Sequence, residues 1–131
     1  MDLKQYFKDS GGTGILATSD SEGKVDAAIY HRPYVLDDNT VVFIMADRLT
    51  RKNLKSNPRA AFLFMERGAG FSGKRLFLTL AKEGTGGDES ETALMEWYEK
   101  SRREYPEESL YLGYFHVDEV LPLVSELERG D

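Results

Sequence analysis

Cysteine is absent from this chain of 131 residues, and its absence removes several kinds of site at once. Without cysteine the chain has no disulfide framework, no thiolate metal site and no cysteine nucleophile. Histidine is nearly as scarce, with two residues and no His-x-x-x-His spacing, so histidines alone do not form a typical zinc site. The Gly-x-Ser-x-Gly motif of many hydrolases is missing too. These absences argue against a zinc enzyme and against a hydrolase with a serine or cysteine nucleophile.

Long apolar runs and an excess of positive charge are also missing. No stretch approaches the ~20 apolar residues of a membrane-spanning helix, and no signal peptide is recognisable. The net charge of −6 argues against a nucleic-acid partner, because phosphate contacts need a positive face. We expect one domain over residues 1–131, with an N-terminal helix and turn (1–12) and a frayed tail (124–131). We also expect a cytoplasmic location, with which the lack of cysteine is compatible.

A strand, a short polar helix and a second strand are predicted between residues 41 and 66. The runs 41–46 and 59–66 are short, apolar and rich in Val, Ile and Phe, which is typical of buried strands. The helix between them, about 49–56, ends before Pro58, because the residue before a proline avoids helical geometry. Where it begins, unpaired N–H groups and the helix dipole favour a phosphate. Cations, a hydroxyl and an amide cluster there: Arg48, Thr50, Arg51, Lys52 and Asn53. An exposed surface helix with no ligand is the other interpretation of this segment.

The rest of the pattern predicts a mainly β protein. Further strands are expected at about 14–19, 24–31, 74–84 and 111–117, with a short helix over residues 2–8. A second helix is expected after Asp88, with Leu94, Trp97, Tyr98 and Met95 on its apolar side. Residues 119–123 are expected to form a short extended segment or turn. Six strands of this kind suit a small antiparallel barrel with short helices.

The order of these motifs resembles the FMN-binding split barrels, the pyridoxamine 5'-phosphate oxidase-like family. The resemblance runs from about Thr13 to Leu123 and begins with a strand reading Ile-Leu-Ala-Thr, followed by the turn 20–23. It continues through the turn 37–40 to the element Asn53-Leu54-x-x-Asn57-Pro58, its most recognisable piece. In relatives, a pair of residues ahead of that element holds the FMN phosphate. Thr50 takes the position of a Lys or Thr of that pair, Arg48 falls where a Ser is frequent, and Leu49 departs from a position that is often basic.

The resemblance implies a six-stranded antiparallel split barrel, a homodimer with FMN at the subunit interface, and an oxidoreductase that moves hydride or electrons between a small-molecule donor and a substrate. It implies that strand backbone and apolar side chains hold the flavin ring, and that Lys74 and Arg75 approach the cofactor across the interface. The expected cofactor-binding residues are Ile29, Tyr30, Ile44, Met45, Ala46, Arg48, Thr50, Arg51, Asn53, Lys74 and Arg75. The chain differs from pyridoxamine 5'-phosphate oxidase itself, which is a longer chain with a basic C-terminal segment.

Several alternatives stay open at the level of sequence. His31, between two aromatic residues, is a candidate proton donor near a flavin or a haem ligand, or else an ordinary packed or surface residue. Lys74 and Arg75 are equally well explained as exposed charges at the start of a strand. The same fold also suits a flavin-sensing or redox-sensing module without turnover, or a barrel that binds haem or a deazaflavin. A barrel that serves only as a protein-interaction module is a further alternative.

Overall fold

The computed structural model describes residues 2–68, 70–85, 89, 91–94, 96 and 110–124. Helices α1 (Leu3–Asp9) and α2 (Leu49–Ser56) lie in these ranges. Its seven strands are β1 (Gly12–Ser19), β2 (Val25–Tyr30), β3 (Tyr34–Asp37), β4 (Thr40–Ala46), β5 (Arg59–Glu66), β6 (Gly73–Gly84) and β7 (Leu110–Pro122). Residues 91–94 are helical as well.

Local sequence explains why the first elements begin and end where they do. The side chain of Asp2 accepts a hydrogen bond from the backbone N–H of Gln5 at 3.0 Å, which caps α1. In the turn between β1 and β2, Asp20 Oδ1 accepts from the backbone N–H groups of Glu22 and Lys24, both at 2.9 Å. These bonds lower the pKa of Asp20. Gly23 closes the turn with a φ of 87°, which a side chain would disfavour.

The seven strands form one antiparallel sheet in the order β2-β1-β5-β6-β7-β4-β3. The sheet curls into a barrel, because residues from strands that are far apart in this order meet inside it. The ring centroids of Phe43 (β4) and Phe62 (β5) are 4.9 Å apart although β6 and β7 lie between their strands. Tyr30 at the end of β2 lies 6.0 Å from Phe43. Register shifts between β6 and β7 help these two long strands bend around the barrel.

The core fills the inside of this barrel. Alternate residues of the strands point inward, as a period of two requires, and α1 contributes Leu3 and Phe7 while α2 contributes Leu54. The strand residues buried there are Leu16, Val35, Val41, Phe43, Met45, Ala60, Phe62, Phe64, Leu76, Leu78, Phe115 and Val117. A smaller cluster on the outside of the sheet joins Val42, Ile44 and Leu112 to Leu94 of the helical residues 91–94.

The predicted fold class is confirmed, with one difference in strand number. The described part of the chain has seven strands where six were expected, since β3 is four residues long and follows Pro33, too short for a periodic pattern to show. The segment 119–123, expected as a short extended piece or turn, lies almost wholly within β7, which runs on to Pro122. Most of the helix expected after Asp88, with Trp97, Tyr98 and Met95, and nearly all of the expected tail lie outside the described residues.

Among the helices in the described part of the chain, none is both long enough and apolar enough to cross a membrane.

Candidate functional site

A gap in the barrel lies between β2 and the last residues of β4, and we call it the split (residues 25–30, 43–46 and 49–51). Within the described residues, β2 pairs only with β1, and β3 pairs with β4 no further than Val42. The outer backbone edge of β2 and the edge of β4 beyond Val42 are therefore left without strand partners. Helix α2 follows β4 directly and packs against β1, β2 and β4, so its first residues lie at one end of the split.

Helix α2 begins without a side-chain cap, in contrast to α1. Its N-cap residue, Arg48, has extended backbone angles and makes no side-chain capping bond. The first intrahelical bond runs from the N–H of Lys52 to the carbonyl of Arg48 at 3.1 Å. The N–H groups of Leu49, Thr50 and Arg51 precede that bond and have no partner within the helix. Three aligned donors at the positive end of a helix are a binding surface for an anion.

The Thr50 side chain adds an unsatisfied group at this helix start. Thr50 is only 4% exposed, and within the described part of the chain its hydroxyl has no hydrogen-bond partner. Buried hydroxyl groups in folded proteins are nearly always hydrogen-bonded. A buried hydroxyl without a described partner, beside three N–H groups that have no partner within the helix, fits a ligand that offers several acceptor oxygens.

Arg51 is held by carboxylates of the chain itself. Its Nε and Nη2 donate to Glu83 at 2.9 and 3.0 Å, and its Nη1 donates to Asp47 at 2.9 Å. The guanidinium also lies over the ring of Tyr111, 3.5 Å from its centroid. The bond to Glu83 is the main cause that raises the pKa of Arg51. These contacts explain how an arginine is buried here, and they give it a structural role that the sequence did not reveal.

Asn53 is likewise engaged within the protein. It is buried on the inner side of α2, and its Nδ2 donates to the hydroxyl of Thr18 on β1 at 3.1 Å. This bond fixes α2 against the barrel. Asn53 stays a prediction as a cofactor-binding residue, and the bond shows that its amide nitrogen also ties the helix that carries Thr50 to β1.

The candidate ring-binding residues differ in what they present to the split. Met45 lies in the barrel core and Ile44 lies in the outer cluster under Leu94, so both side chains are buried among other residues. What Ile44 and Met45 leave towards the split is backbone, and Ala46 at the end of β4 is half-buried. Ile29 is exposed on the outer face of β2, and Tyr30 is half-buried on the inner face.

Lys74 and Arg75 lie at the other end of the barrel from α2. Lys74 and Glu83 are nine residues apart on β6, which is about 30 Å at the rise of a strand, and Glu83 is the residue that contacts α2. The Lys74 ammonium lies over the ring of Tyr6 at 4.8 Å, and Arg75 Nε donates to the carbonyl of Pro122 at 3.0 Å. The structure therefore does not bring this pair together with Thr50 in one protomer.

The two histidines also lie apart from each other along the chain. His31 directly follows β2 and is exposed. His116 on β7 is exposed too, and its Nδ1 lies 2.8 Å from Asp118 Oδ1, while the Thr79 hydroxyl donates to the other oxygen of Asp118 at 2.6 Å. The bonds from Thr79 and His116 lower the pKa of Asp118. Within the described residues, no group of three or more His, Asp or Glu side chains is arranged to hold a metal ion.

Sequence reasoning located the start of α2 but missed Asp47, Glu83 and Tyr111 around it. Asp47 was visible in principle, because a carboxylate four residues before an arginine is a helical ion-pair spacing. Glu83 and Tyr111 come from β6 and β7, distant in sequence, and no local signal marks them.

Several solved structures resemble this chain along most of its length. HupZ of Group A Streptococcus is 22% identical, with 92% of this chain and 90% of that chain covered and a TM-score of 0.71. An FMN-binding protein from Syntrophomonas wolfei subsp. wolfei is 16% identical, with 94% and 84% covered and a TM-score of 0.73. HutZ, a haem storage protein from Vibrio cholerae, is 16% identical, with 96% and 95% covered and a TM-score of 0.66. These likenesses show a shared fold.

No curated protein matches the chain. The family model described as pyridoxamine 5'-phosphate oxidase matches residues 3–117, a range that contains the split, all of α2 and the Asn-Leu-x-x-Asn-Pro element. On that match and the shared split-barrel fold, the chain belongs to the pyridoxamine 5'-phosphate oxidase family.

Proposed function

We propose that this protein is an FMN-binding oxidoreductase that holds the flavin in the split. The observation that carries the proposal is the start of α2, where the N–H groups of residues 49–51 have no partner within the helix and the buried Thr50 hydroxyl has none among the described residues. The phosphate of FMN supplies acceptor oxygens for this set of donors. Arg48, the N-cap residue, adds positive charge at the same point.

The flat ring of the flavin has a polar edge and two apolar faces, and the split offers groups for both. The strand edges of β2 and β4 carry backbone donors and acceptors that no described strand uses. Tyr30 and the exposed Ile29 supply apolar surface beside that edge. When bound, the flavin supplies hydride or electron transfer, while the protein positions it and limits access of water and substrate.

The proposed assembly is a homodimer, with the outer face of the sheet as its interface. We call this surface the outer face: Val25, Ala27 and Ile29 of β2, Ile15 and Ala17 of β1, Ala61, Leu63 and Met65 of β5, and Phe77 of β6. The register places Ile29, Ile15 and Leu63 in one row and Ala27, Ala17, Ala61 and Phe77 in the next. Ile29 is 80% exposed in the single chain. A continuous apolar surface of this kind is typical of an interface, and β2 borders the split, so a partner docked here adjoins the flavin. Lys74 and Arg75 lie far from α2 in their own protomer. In the proposed dimer, the flavin that they approach is therefore that of the partner.

Thr50→Val tests the phosphate site directly. The variant keeps the shape of the side chain and removes the hydroxyl, so FMN should bind roughly ten- to hundredfold more weakly, the usual result of losing a bond to a charged group. Riboflavin, which lacks the phosphate, should bind as it does to the wild type. The measurement is a titration of flavin fluorescence with both ligands. Thr40→Val, at the opposite end of β4, is the matched control and should change neither affinity. Equal losses for FMN and riboflavin would contradict the proposed phosphate site.

Haem is a second candidate ligand, favoured by the pairing of His116 with Asp118. A histidine whose Nδ1 hydrogen-bonds a carboxylate has its Nε2 oriented to bind a metal, as in many haem and metal sites. HutZ, one of the similar structures, is a haem storage protein. FMN is preferred because His116 stands exposed without a described pocket of apolar residues around it, whereas the start of α2 combines the buried Thr50 hydroxyl with N–H groups unpaired within the helix. A Soret band that His116→Ala abolishes would favour haem.

A further inference from the structure

The start of α2 carries charges of both signs close to one another. Arg51 holds two carboxylates, those of Glu83 and Asp47, with each of its three nitrogen atoms engaged. Asp47 immediately precedes the N-cap residue. Its carboxylate is therefore carried by the segment that leads into the start of α2, where the unpaired N–H groups are. A negative charge is therefore already present where the proposed function needs to attract one.

The two carboxylates are held with different strength. Glu83 makes two parallel bonds to Nε and Nη2, and its side chain is 27% exposed. Asp47 makes a single bond to Nη1, and its side chain is 63% exposed. Bidentate pairs are geometrically fixed, whereas a single exposed ion pair contributes little and exchanges with water. Asp47 is the carboxylate that leaves Arg51 more easily.

We propose that Asp47 is an internal competitor for the phosphate of the ligand and sets how strongly the site prefers FMN over unphosphorylated flavin. The inference rests on the proposed function. In the free protein Asp47 occupies Nη1 of Arg51. When a phosphate binds at the N–H groups of residues 49–51, Asp47 is displaced from Arg51 and turns to solvent, which its exposure permits.

This competition weakens phosphate binding in two ways. The ligand must displace an existing ion pair, and the carboxylate repels the phosphate at short range in a partly screened environment. Replacing the carboxylate by an amide of the same size removes the repulsion and leaves a weaker bond to Arg51. Asp47→Asn should therefore tighten FMN by about three- to tenfold and leave the affinity for riboflavin within about twofold of the wild type.

The experiment is a fluorescence titration of wild type, Asp47→Asn and Asp38→Asn with FMN and with riboflavin at one ionic strength. Asp38 is an exposed aspartate in the turn between β3 and β4, at the far end of β4. Asp38→Asn makes the same change in net charge away from the site, so it should bind both ligands as the wild type does. The melting temperature of each variant shows whether the fold is kept.

The outcomes separate this inference from the function on which it rests. Tighter FMN binding confined to Asp47→Asn supports the competitor role. If the wild type binds FMN and Asp47→Asn binds it equally or more weakly, the inference fails and the flavin assignment stands. If Asp38→Asn gives the same gain, the effect is one of net charge and the inference fails as well. If the wild type does not retain FMN, both are overturned.

Discussion

Tyr6 joins helix α1 to the rim of the barrel. Its hydroxyl donates to Glu66 Oε2 at 2.6 Å, and its ring contacts Phe7 and Phe64 at centroid distances of 5.1 and 6.2 Å. Burial, followed by the bond and the charge of Glu66, raises the pKa of Tyr6 well above its ordinary value. The neutral phenol is therefore the form that the fold favours.

The raised pKa makes the contribution of Tyr6 depend on pH. A group whose pKa is higher in the folded state stabilises the protein below its unfolded pKa, about 10 for tyrosine, and loses that effect as pH rises towards the folded value. Tyr6→Phe loses the bond to Glu66 and should be less stable than the wild type at neutral pH by on the order of 1 kcal/mol, a modest loss because the bond is only part-buried. Above about pH 10 the difference should shrink. Urea unfolding of both proteins between neutral pH and about pH 11 measures this, and a constant difference would refute it.

Residue by residue, the expected site divides into groups with separate tasks. Thr50 is buried and its hydroxyl has no partner among the described residues, whereas Asn53 is engaged with Thr18 and Arg51 with Glu83. Sequence spacing showed that these residues gather at one helix end. It did not show which of them finds a partner inside the protein, because Thr18 and Glu83 lie 35 and 32 residues away.

At the scale of elements, α2 is the piece that builds the split, and its attachment to the barrel is mostly polar. Arg51 links it to β6 through Glu83 and to β7 through Tyr111, and Asn53 links it to β1. Leu54 adds an apolar contact with the core. This arrangement fixes the helix start against the barrel while leaving its first N–H groups unpaired within the helix.

Arg51→Met tests this attachment. The change leaves Glu83 without its main partner near the start of α2, and removing one member of a buried ion pair costs about 3–5 kcal/mol. Because Glu83 is partly exposed, we expect a loss of roughly 2 kcal/mol in the free energy of unfolding, measured by urea denaturation. Lys52→Met, on the exposed side of the same helix, should change stability by no more than about 0.5 kcal/mol.

A second substitution separates the ion pair from simple packing. If the unpaired charge of Glu83 causes the loss, the double variant Arg51→Met with Glu83→Met should regain part of it. If Glu83→Met lowers the free energy of unfolding of the Arg51→Met variant as much as it lowers that of the wild type, the ion pair is not what holds α2.

The element boundaries show where sequence patterns were sufficient. The helix predicted at about 49–56 is observed at Leu49–Ser56, and the strand predicted at 59–66 is observed at Arg59–Glu66. Pro58 and the change of period from helix to strand are local signals, so a sequence carries them directly. The short β3 depends on pairing with β4, and the length of β7 depends on pairing with β6. Such long-range pairings leave little trace in the local pattern.

At the scale of the whole molecule, the outer face is an apolar surface that a single chain leaves exposed. Its rows of Ile, Leu and Ala side chains continue across β2, β1, β5 and β6. Burying such a surface against a second copy is the common way for a soluble chain to remove it from water. The edge strand β2 belongs both to this face and to the split, so dimerisation and flavin binding should be coupled.

Ile29→Asp tests that coupling. Ile29 is 80% exposed in the single chain, so the substitution should leave the fold intact while placing a charge in the proposed interface. We expect a dimer for the wild type and a monomer for the variant in light scattering after gel filtration, together with loss of bound FMN. Leu36→Asp is the matched control, since Leu36 on β3 is 51% exposed and lies off the outer face. A variant Ile29→Asp that stays dimeric would rule out this face as the interface.

The central claim is that the split retains FMN, and the most direct test is an absorption spectrum of the purified wild-type protein after loading with FMN and desalting. We expect oxidised-flavin bands at about 370 and 450 nm, at about one FMN per chain. A colourless protein after desalting, or a Soret band in its place in the protein as purified, would contradict it.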